Sequence, residues 1–129
     1  VLPLLASDLV EVMLACAQGR LHEVNVEWAD AATVCVVMAS GGYPENYEQG
    51  LPITGLEEAN SLPDTIVFHA GTKEAGEAIV TAGGRVLGVT ATGGDIRAAK
   101  DKAYAAVELI NFKDAHYRHD IAWRALKHK

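Results

Sequence analysis

An arginine that follows two glycines is the feature of this sequence that points most directly to chemistry. Gly83 and Gly84 interrupt two apolar runs, and Arg85 stands at the start of the second run. Adjacent glycines let the backbone adopt positive φ and let a second molecule approach the main chain closely. An arginine at the root of a strand offers a planar fork of donors that fits a phosphate or a carboxylate. The alternative is an ordinary hairpin turn whose arginine is solvated.

Two more glycine-containing loops, residues 40–44 and 70–73, follow apolar runs that are typical of strands. If these strands are neighbours and run the same way, the three loops gather at one edge of a sheet. Backbone N–H groups clustered there would form an anion site. The candidate binding residues are Gly41, Gly42, Tyr43, Pro44, Gly71, Thr72, Gly83, Gly84 and Arg85. Taken singly, each loop is compatible with a tight turn. A cis Tyr43–Pro44 bond is possible, but a trans bond is the default expectation.

The remaining polar residues do not form a catalytic pattern. There is no Ser-His-Asp order, no catalytic carboxylate pair and no phosphate-loop signature, so we expect no catalytic residue in this chain. His69 ends a predicted strand and is interpreted as a hydrogen-bonded structural histidine. His116 and His119 lack a carboxylate or cysteine partner at ligand spacing, so we expect no metal site. The charged residues near the end are interpreted as a solvated or interdomain face: Asp114, Arg118, Asp120 and Arg124.

Composition indicates one folded domain. The chain has 129 residues, of which 50% are hydrophobic and 22% charged. The net charge of -6 argues against a nucleic-acid or acidic-membrane surface, but it leaves room for a local cationic pocket. No apolar run is long enough to span a bilayer. Cys16 and Cys35 lie in apolar runs and are predicted to be buried free thiols in a reducing compartment, with a disulfide as the alternative. The start, residues 1–5, lacks a methionine and the charged flank of a signal peptide, so we expect a fragment of a longer protein.

The pattern of apolar residues predicts an α+β fold. Asp95 is placed to cap a long helix that runs to Ile110, and Asp8 to cap an amphipathic helix over residues 7–18. Shorter helices are predicted at residues 55–60, with Thr54 as the cap, and around residues 121–126. A half-buried strand is predicted at residues 24–28, strands buried on both faces at 33–39 and 65–70, and a loop at 71–76. Residues 78–81 and 85–91 are predicted to pair as a hairpin across Gly83-Gly84. The expected architecture is a mainly antiparallel sheet with the long helix packed on one face.

Several of these segments together resemble the phosphoribosylamine–glycine ligase family of the ATP-grasp superfamily. The resemblance covers nearly the whole chain in the family's order. It rests on residues 4–11, 34–44, 53–56, 68–72, 81–89 and 117–122.

The resemblance implies what the rest of such an enzyme would do. The family joins glycine to 5-phosphoribosylamine through a glycyl phosphate, with ATP and magnesium or manganese, in cytoplasmic purine biosynthesis. It implies that residues 1–20 end the ATP-grasp domain and that residues 21–129 form the C-terminal domain of the substrate site. The upstream N-terminal and ATP-grasp domains would be the partners of this chain, which alone would be inactive. Related enzymes place a Gly-Arg-x-x-Gly hairpin on the ribose phosphate. Arg85 and Gly88 match this hairpin, but Val86 stands where a second basic residue often follows.

Two readings of other classes remain open from the residues alone. The same loops could belong to a stand-alone module that binds a small anion without catalysis. They could also be plain turns of a structural domain.

Overall fold

A three-stranded antiparallel sheet with one long helix on its inner face organises the chain. The computed structural model describes residues 1–127, so His128 and Lys129, the end of the predicted C-terminal domain, lie outside the described residues. The strands are β1 (Ala32–Ala39), β2 (Thr65–His69), β3 (Thr72–Ala75), β4 (Ala78–Thr81) and β5 (Arg85–Gly93). The helices are α1 (Leu9–Ala17), α2 (Leu56–Ser61), α3 (Ile96–Leu109) and α4 (Trp123–Lys127). This architecture confirms the predicted α+β class.

The strand order of the main sheet is β1-β5-β2, with β5 antiparallel to both neighbours. β-Branched residues dominate these strands, as expected for side chains that pack on a pleated surface. Because β1 and β2 are both antiparallel to β5, their C-terminal ends lie at the edge where β5 begins. The two loops that follow β1 and β2 therefore meet the loop that precedes β5.

Helix α3 covers the inner face of the sheet, as predicted. The Asp95 carboxylate accepts a hydrogen bond of 2.7 Å from the N–H of Ala98 and caps the helix. Small residues on α3 allow it to approach the sheet closely, and the shared core contains Ala99, Ala103, Ala106 and Val107 with Val34, Val36, Met38, Val86, Leu87 and Val89. The strand ends that carry the three loops therefore belong to a rigid two-layer unit of sheet and helix.

Only one face of this sheet packs on the core within the described residues, which corrects the prediction of strands buried on both faces. Burial alternates along β1, so that Val36 and Met38 are buried while Cys35 and Val37 are exposed. Phe68 of β2 is exposed on the same side as Val37. We call this side the open face. Both cysteines are free, as predicted, but they are exposed rather than buried.

The predicted hairpin across Gly83-Gly84 is wrong. β4 pairs with β3 in a separate two-stranded sheet, and β5 pairs with β1 and β2 instead. Residues 72–75, predicted to be loop, form β3, and Gly76 makes the turn to β4 with a φ of 65°. The apolar runs on either side of the glycines are typical of a hairpin, but the tertiary pairing of β5 overrides that local signal.

Two smaller predictions also need correction. Residues 24–28 do not form a strand, and only an isolated bridge joins Trp28 to Leu5. Gly55, with a φ of 80°, precedes α2 in the cap position, while the Thr54 hydroxyl donates to the carbonyl of Asn111 instead of capping. Among residues 1–127, no helix is both long and apolar enough to cross a membrane.

Candidate functional site

The three glycine loops are joined by hydrogen bonds at one edge of the main sheet. The buried Ser40 donates its N–H to the carbonyl of Gly84 at 2.8 Å and its hydroxyl to the carbonyl of Gly83 at 2.9 Å. Gly71 donates its N–H to the carbonyl of Arg85 at 2.9 Å, and Ala82 donates to the carbonyl of Gly71 at 2.7 Å. The predicted gathering of the loops is therefore observed.

Glycine is needed in this cluster because a side chain would overlap neighbouring atoms. Neither Gly83 nor Gly84 has a positive φ, which corrects the expectation drawn from the glycine pair. A Cβ atom on Gly71 would lie 2.7 Å from the Cα of Gly83 and 2.7 Å from the carbonyl oxygen of Arg85. A Cβ atom on Gly84 would overlap the ring of Tyr43, at 2.5 Å from its Cε2. Close contact between backbones, and between backbone and ring, therefore accounts for these residues.

A β-bulge sets the direction of Arg85. Met38 pairs with Leu87, whereas the next residue, Ala39, pairs with Arg85, so that Val86 is an extra residue in β5. Side chains alternate along a strand, and an unbroken ladder would turn Arg85 to the inner face with Leu87. The bulge instead turns Arg85 to the open face.

Arg85 stands between two grooves on that face. The first groove has a volume of about 640 Å³ and is lined by Val37, Tyr43, Phe68, Ala70, Gly71, Gly84, Arg85, Leu87 and Gly88. The second groove, of about 400 Å³, is lined by Cys35, Val37, Ala39, Tyr43, Arg85, His116, Tyr117, Arg118 and Ile121. Both grooves share Val37, Tyr43 and Arg85.

The electrostatics of the two grooves favour an anion. Neither lining contains an aspartate or a glutamate, although the chain as a whole carries a net charge of -6. Within residues 1–127, no carboxylate forms a salt bridge with Arg85. The N–H groups of Ser40 and Gly71 are used to join the loops. An incoming anion would therefore meet the guanidinium of Arg85, which is unpaired within the described residues, and no acidic side chain in either lining.

Arg118, at the rim of the second groove, differs from Arg85 in being paired. Its Nε and one terminal nitrogen donate to the two carboxylate oxygens of Asp120 at 2.8 and 2.7 Å. This hydrogen-bonded pairing raises the pKa of the Arg118 guanidinium and lowers the pKa of the Asp120 carboxyl. Arg85 is consequently the cation with more freedom to bind a ligand.

Residues 33–124 match the family described as phosphoribosylglycinamide synthetase, C domain. The chain belongs to this family. It is 50% identical over 127 residues to the chloroplastic phosphoribosylamine–glycine ligase of Arabidopsis thaliana, a match that covers 97% of this chain and 24% of that protein. It is also 50% identical over 122 residues to the phosphoribosylamine–glycine ligase of Rhizobium meliloti, which covers 95% and 28%.

A solved structure agrees with these relatives. The crystal structure of the phosphoribosylamine–glycine ligase of Thermotoga maritima superposes with a TM-score of 0.67 at 32% identity, over 85% of this chain and 27% of that one. The chain therefore spans about a quarter of the length of the relatives that it matches. These findings confirm the resemblance to the ligase family.

The predicted binding residues fall into two groups, according to whether they belong to the first groove and its immediate contacts. Tyr43, Gly71, Gly84 and Arg85 line the first groove, with Gly83 in direct contact with Gly71. The other four do not line either groove: Gly41 packs on Asp114, Gly42 on the carbonyl of Asn46, Pro44 follows Tyr43 through a cis bond, and Thr72 begins β3. Whether any of these residues binds a substrate stays a prediction.

Some groove residues of this C domain were not found from the sequence. The second groove is lined by alternate residues of β1, Cys35, Val37 and Ala39. Alternate residues of a strand share one face of the sheet, and this spacing is the sequence signal that could have found them. Arg118, predicted to lie on a solvated or interdomain charge face, also borders the second groove. His116 reaches that groove because its backbone pairs with Ala39, a contact far apart in sequence that no local pattern indicates.

His69 is placed as a structural group, and the structure also bears on metal binding. His69 Nδ1 lies 3.0 Å from the Thr72 hydroxyl, which fits the predicted hydrogen-bonded structural role. No cluster of three His, Cys, Asp or Glu side chains that could hold a metal ion occurs within residues 1–127. The donor set described here therefore does not fit a magnesium site, and we derive no chemical step from a metal held by this chain.

Proposed function

We propose that this chain is the C-terminal part of a phosphoribosylamine–glycine ligase and forms one wall of its sugar-phosphate site. The complete enzyme would join glycine to 5-phosphoribosylamine with ATP hydrolysis. The chain would contribute the three glycine loops and Arg85, and it would supply no catalytic residue. The family membership and the ligase names of the relatives support this proposal.

The observation that carries the proposal is the guanidinium of Arg85, which has no partner among residues 1–127 and lies between two grooves without acidic residues. A guanidinium can bind two phosphate oxygens at once, and such charge-assisted hydrogen bonds are among the stronger ones in proteins. The phosphate of phosphoribosylamine is therefore the group that this edge of the sheet suits best.

ATP, magnesium or manganese, and the residues that activate glycine would be held by the upstream domains. The metal would supply charge neutralisation for the phosphates of ATP in the complete enzyme. Within this chain, the proposed task is to bind and orient the sugar phosphate, because preorganised donors lower the barrier to a reaction between two bound molecules.

We also propose the predicted division at residue 20. Val10, Met13 and Leu14 of α1 are exposed, and Ala15 is the buried residue of that helix within the described chain. A helix that is apolar nearly all round normally packs against other protein. The upstream ATP-grasp domain is the proposed partner of α1. The cytoplasmic location stays a prediction, since one of the relatives is named chloroplastic.

A chimeric enzyme tests the proposed function. The C-terminal part of the Rhizobium meliloti ligase that matches this chain is replaced by residues 1–129, and a control chimera receives the matching Arabidopsis segment. We expect both chimeras to form product from glycine, phosphoribosylamine and ATP. A chimera that carries this chain, melts at the control's temperature and has no activity would contradict the proposal.

A further inference from the structure

Tyr43 is the aromatic residue common to both grooves, and its ring lies directly on the main chain before Arg85. The ring occupies the space that a Cβ atom on Gly84 would fill. The ring also meets Tyr47 edge to face, with the ring centroids 6.0 Å apart. The Tyr43 side chain therefore lines both grooves beside Arg85.

The absence of a side chain at position 84 is explained by this ring. Gly84 does not have a positive φ, so its backbone conformation is open to other residues. Its carbonyl accepts the N–H of Ser40, and that bond does not depend on the side chain. The Tyr43 ring atoms are the three nearest heavy atoms to the space where a side chain would begin.

We propose that Tyr43 is a positioning residue for the sugar phosphate and that Gly84, by lacking a side chain, leaves the space in which the Tyr43 ring lies. This inference rests on the proposed function. The ring separates the two grooves, so that a phosphate bound to Arg85 lies in the first groove, beside the glycine loops. Without the ring the grooves merge, and the guanidinium and the ligand lose the wall that fixes their orientation.

The contact between the Tyr43 ring and Gly84 also explains why substitutions at these two positions should have the same effect. Tyr43 is 41% exposed, so its ring can rotate toward solvent when a methyl group is added at position 84. Gly84→Ala is therefore expected to displace the ring without unfolding the protein, and Tyr43→Ala removes the ring outright. Both substitutions produce the same local state, in which the ring no longer lies against position 84.

A double-mutant cycle in the full-length ligase tests this inference. We expect Tyr43→Ala and Gly84→Ala each to lower kcat/KM for phosphoribosylamine by about ten- to hundredfold, a range typical of a misplaced reactant. The KM values for glycine and ATP should change far less. The double variant should be no worse than either single variant, because the ring can be lost only once. Tyr43→Phe keeps the ring and should recover most of the loss.

Gly94→Ala is the matched control. Gly94 has no heavy atom within 4 Å of an added Cβ and no positive φ, so it tests the effect of a glycine-to-alanine change by itself. Losses that multiply in the double variant would overturn the inference, as would a Tyr43→Phe enzyme as poor as Tyr43→Ala. If Gly84→Ala fails to fold, Tyr43→Ala and Tyr43→Phe decide the matter alone. An Arg85→Ala enzyme with unchanged kinetics would refute the proposed function, whereas a selective Arg85 effect beside an inert Tyr43→Ala would refute only this inference.

Discussion

At the scale of single residues, the glycines of the three loops are required by the small space between backbones rather than by a special backbone conformation. Gly71 and Gly83 touch through their main chains, and Gly71 also donates to the carbonyl of Arg85. The sequence identified these glycines as special, but the physical reason was different from the positive φ that glycine pairs favour. The contact partners come from loops far apart in the chain, so this reason could not be read from the local sequence.

Gly71→Ala should destabilise the domain. The added Cβ would lie 2.7 Å from backbone atoms of Gly83 and Arg85, which cannot rotate away as a side chain can. Overpacking of this kind typically costs about 1–3 kcal/mol. Urea denaturation followed by circular dichroism measures the loss. The control Gly94→Ala should have a free energy of unfolding within about 0.5 kcal/mol of that of the parent. Equal stability of the two variants would contradict the close backbone contact.

The two cysteines should be reactive in the folded chain. Cys16 and Cys35 are free and exposed in the structure. We expect iodoacetamide to alkylate both thiols of the 129-residue chain without denaturant, as seen by mass spectrometry. Protection of Cys35 until urea is added would show that the open face is covered in solution.

At the scale of elements, the helices were easier to predict than the strand pairing. Asp95, the alanine spacing and Ile110 define α3 from local signals alone, because caps and periodicity act within a few residues. The pairing of β5 with β1 and β2 joins segments that are far apart in the chain, from Ala32 to Gly93, and the bulge at Val86 has no sequence signature of its own. Arg85 was therefore found as a candidate, while the face on which it lies was not.

The two helix caps should differ in their effect on stability. Asp95 caps α3, which is packed on the core, whereas Asp8 caps α1, which buries little within the described chain. Asp95→Ala should lower the free energy of unfolding by about 1 kcal/mol, the usual value of a lost cap. Asp8→Ala should lower it less in this chain, because α1 can fray without opening the core. A larger loss for Asp8→Ala in thermal denaturation would contradict this division.

At the scale of the whole molecule, the chain is proposed to supply a surface of the substrate site, with the chemistry left to the rest of the enzyme. It covers about a quarter of its relatives, and its described residues contain neither a metal cluster nor a catalytic pattern. We expect the 129-residue chain alone to release no ADP in the presence of ATP, glycine and phosphoribosylamine. Release of ADP that requires all three substrates would contradict this expectation, and the chimera with active upstream domains serves as the positive control.

The central claim is that Arg85 binds the phosphate of phosphoribosylamine, and steady-state kinetics of Arg85→Ala in the full-length ligase tests it most directly. Loss of a hydrogen bond to a charged group is worth about 2–3 kcal/mol, which corresponds to a drop of about 30- to 160-fold in kcat/KM for phosphoribosylamine. Arg85→Lys should recover little, because an ammonium cannot make the two-pronged contact. The KM values for glycine and ATP should stay close to those of the parent, since the guanidinium is proposed to bind neither. A KM that moves equally for all three substrates, or for none, would contradict the account.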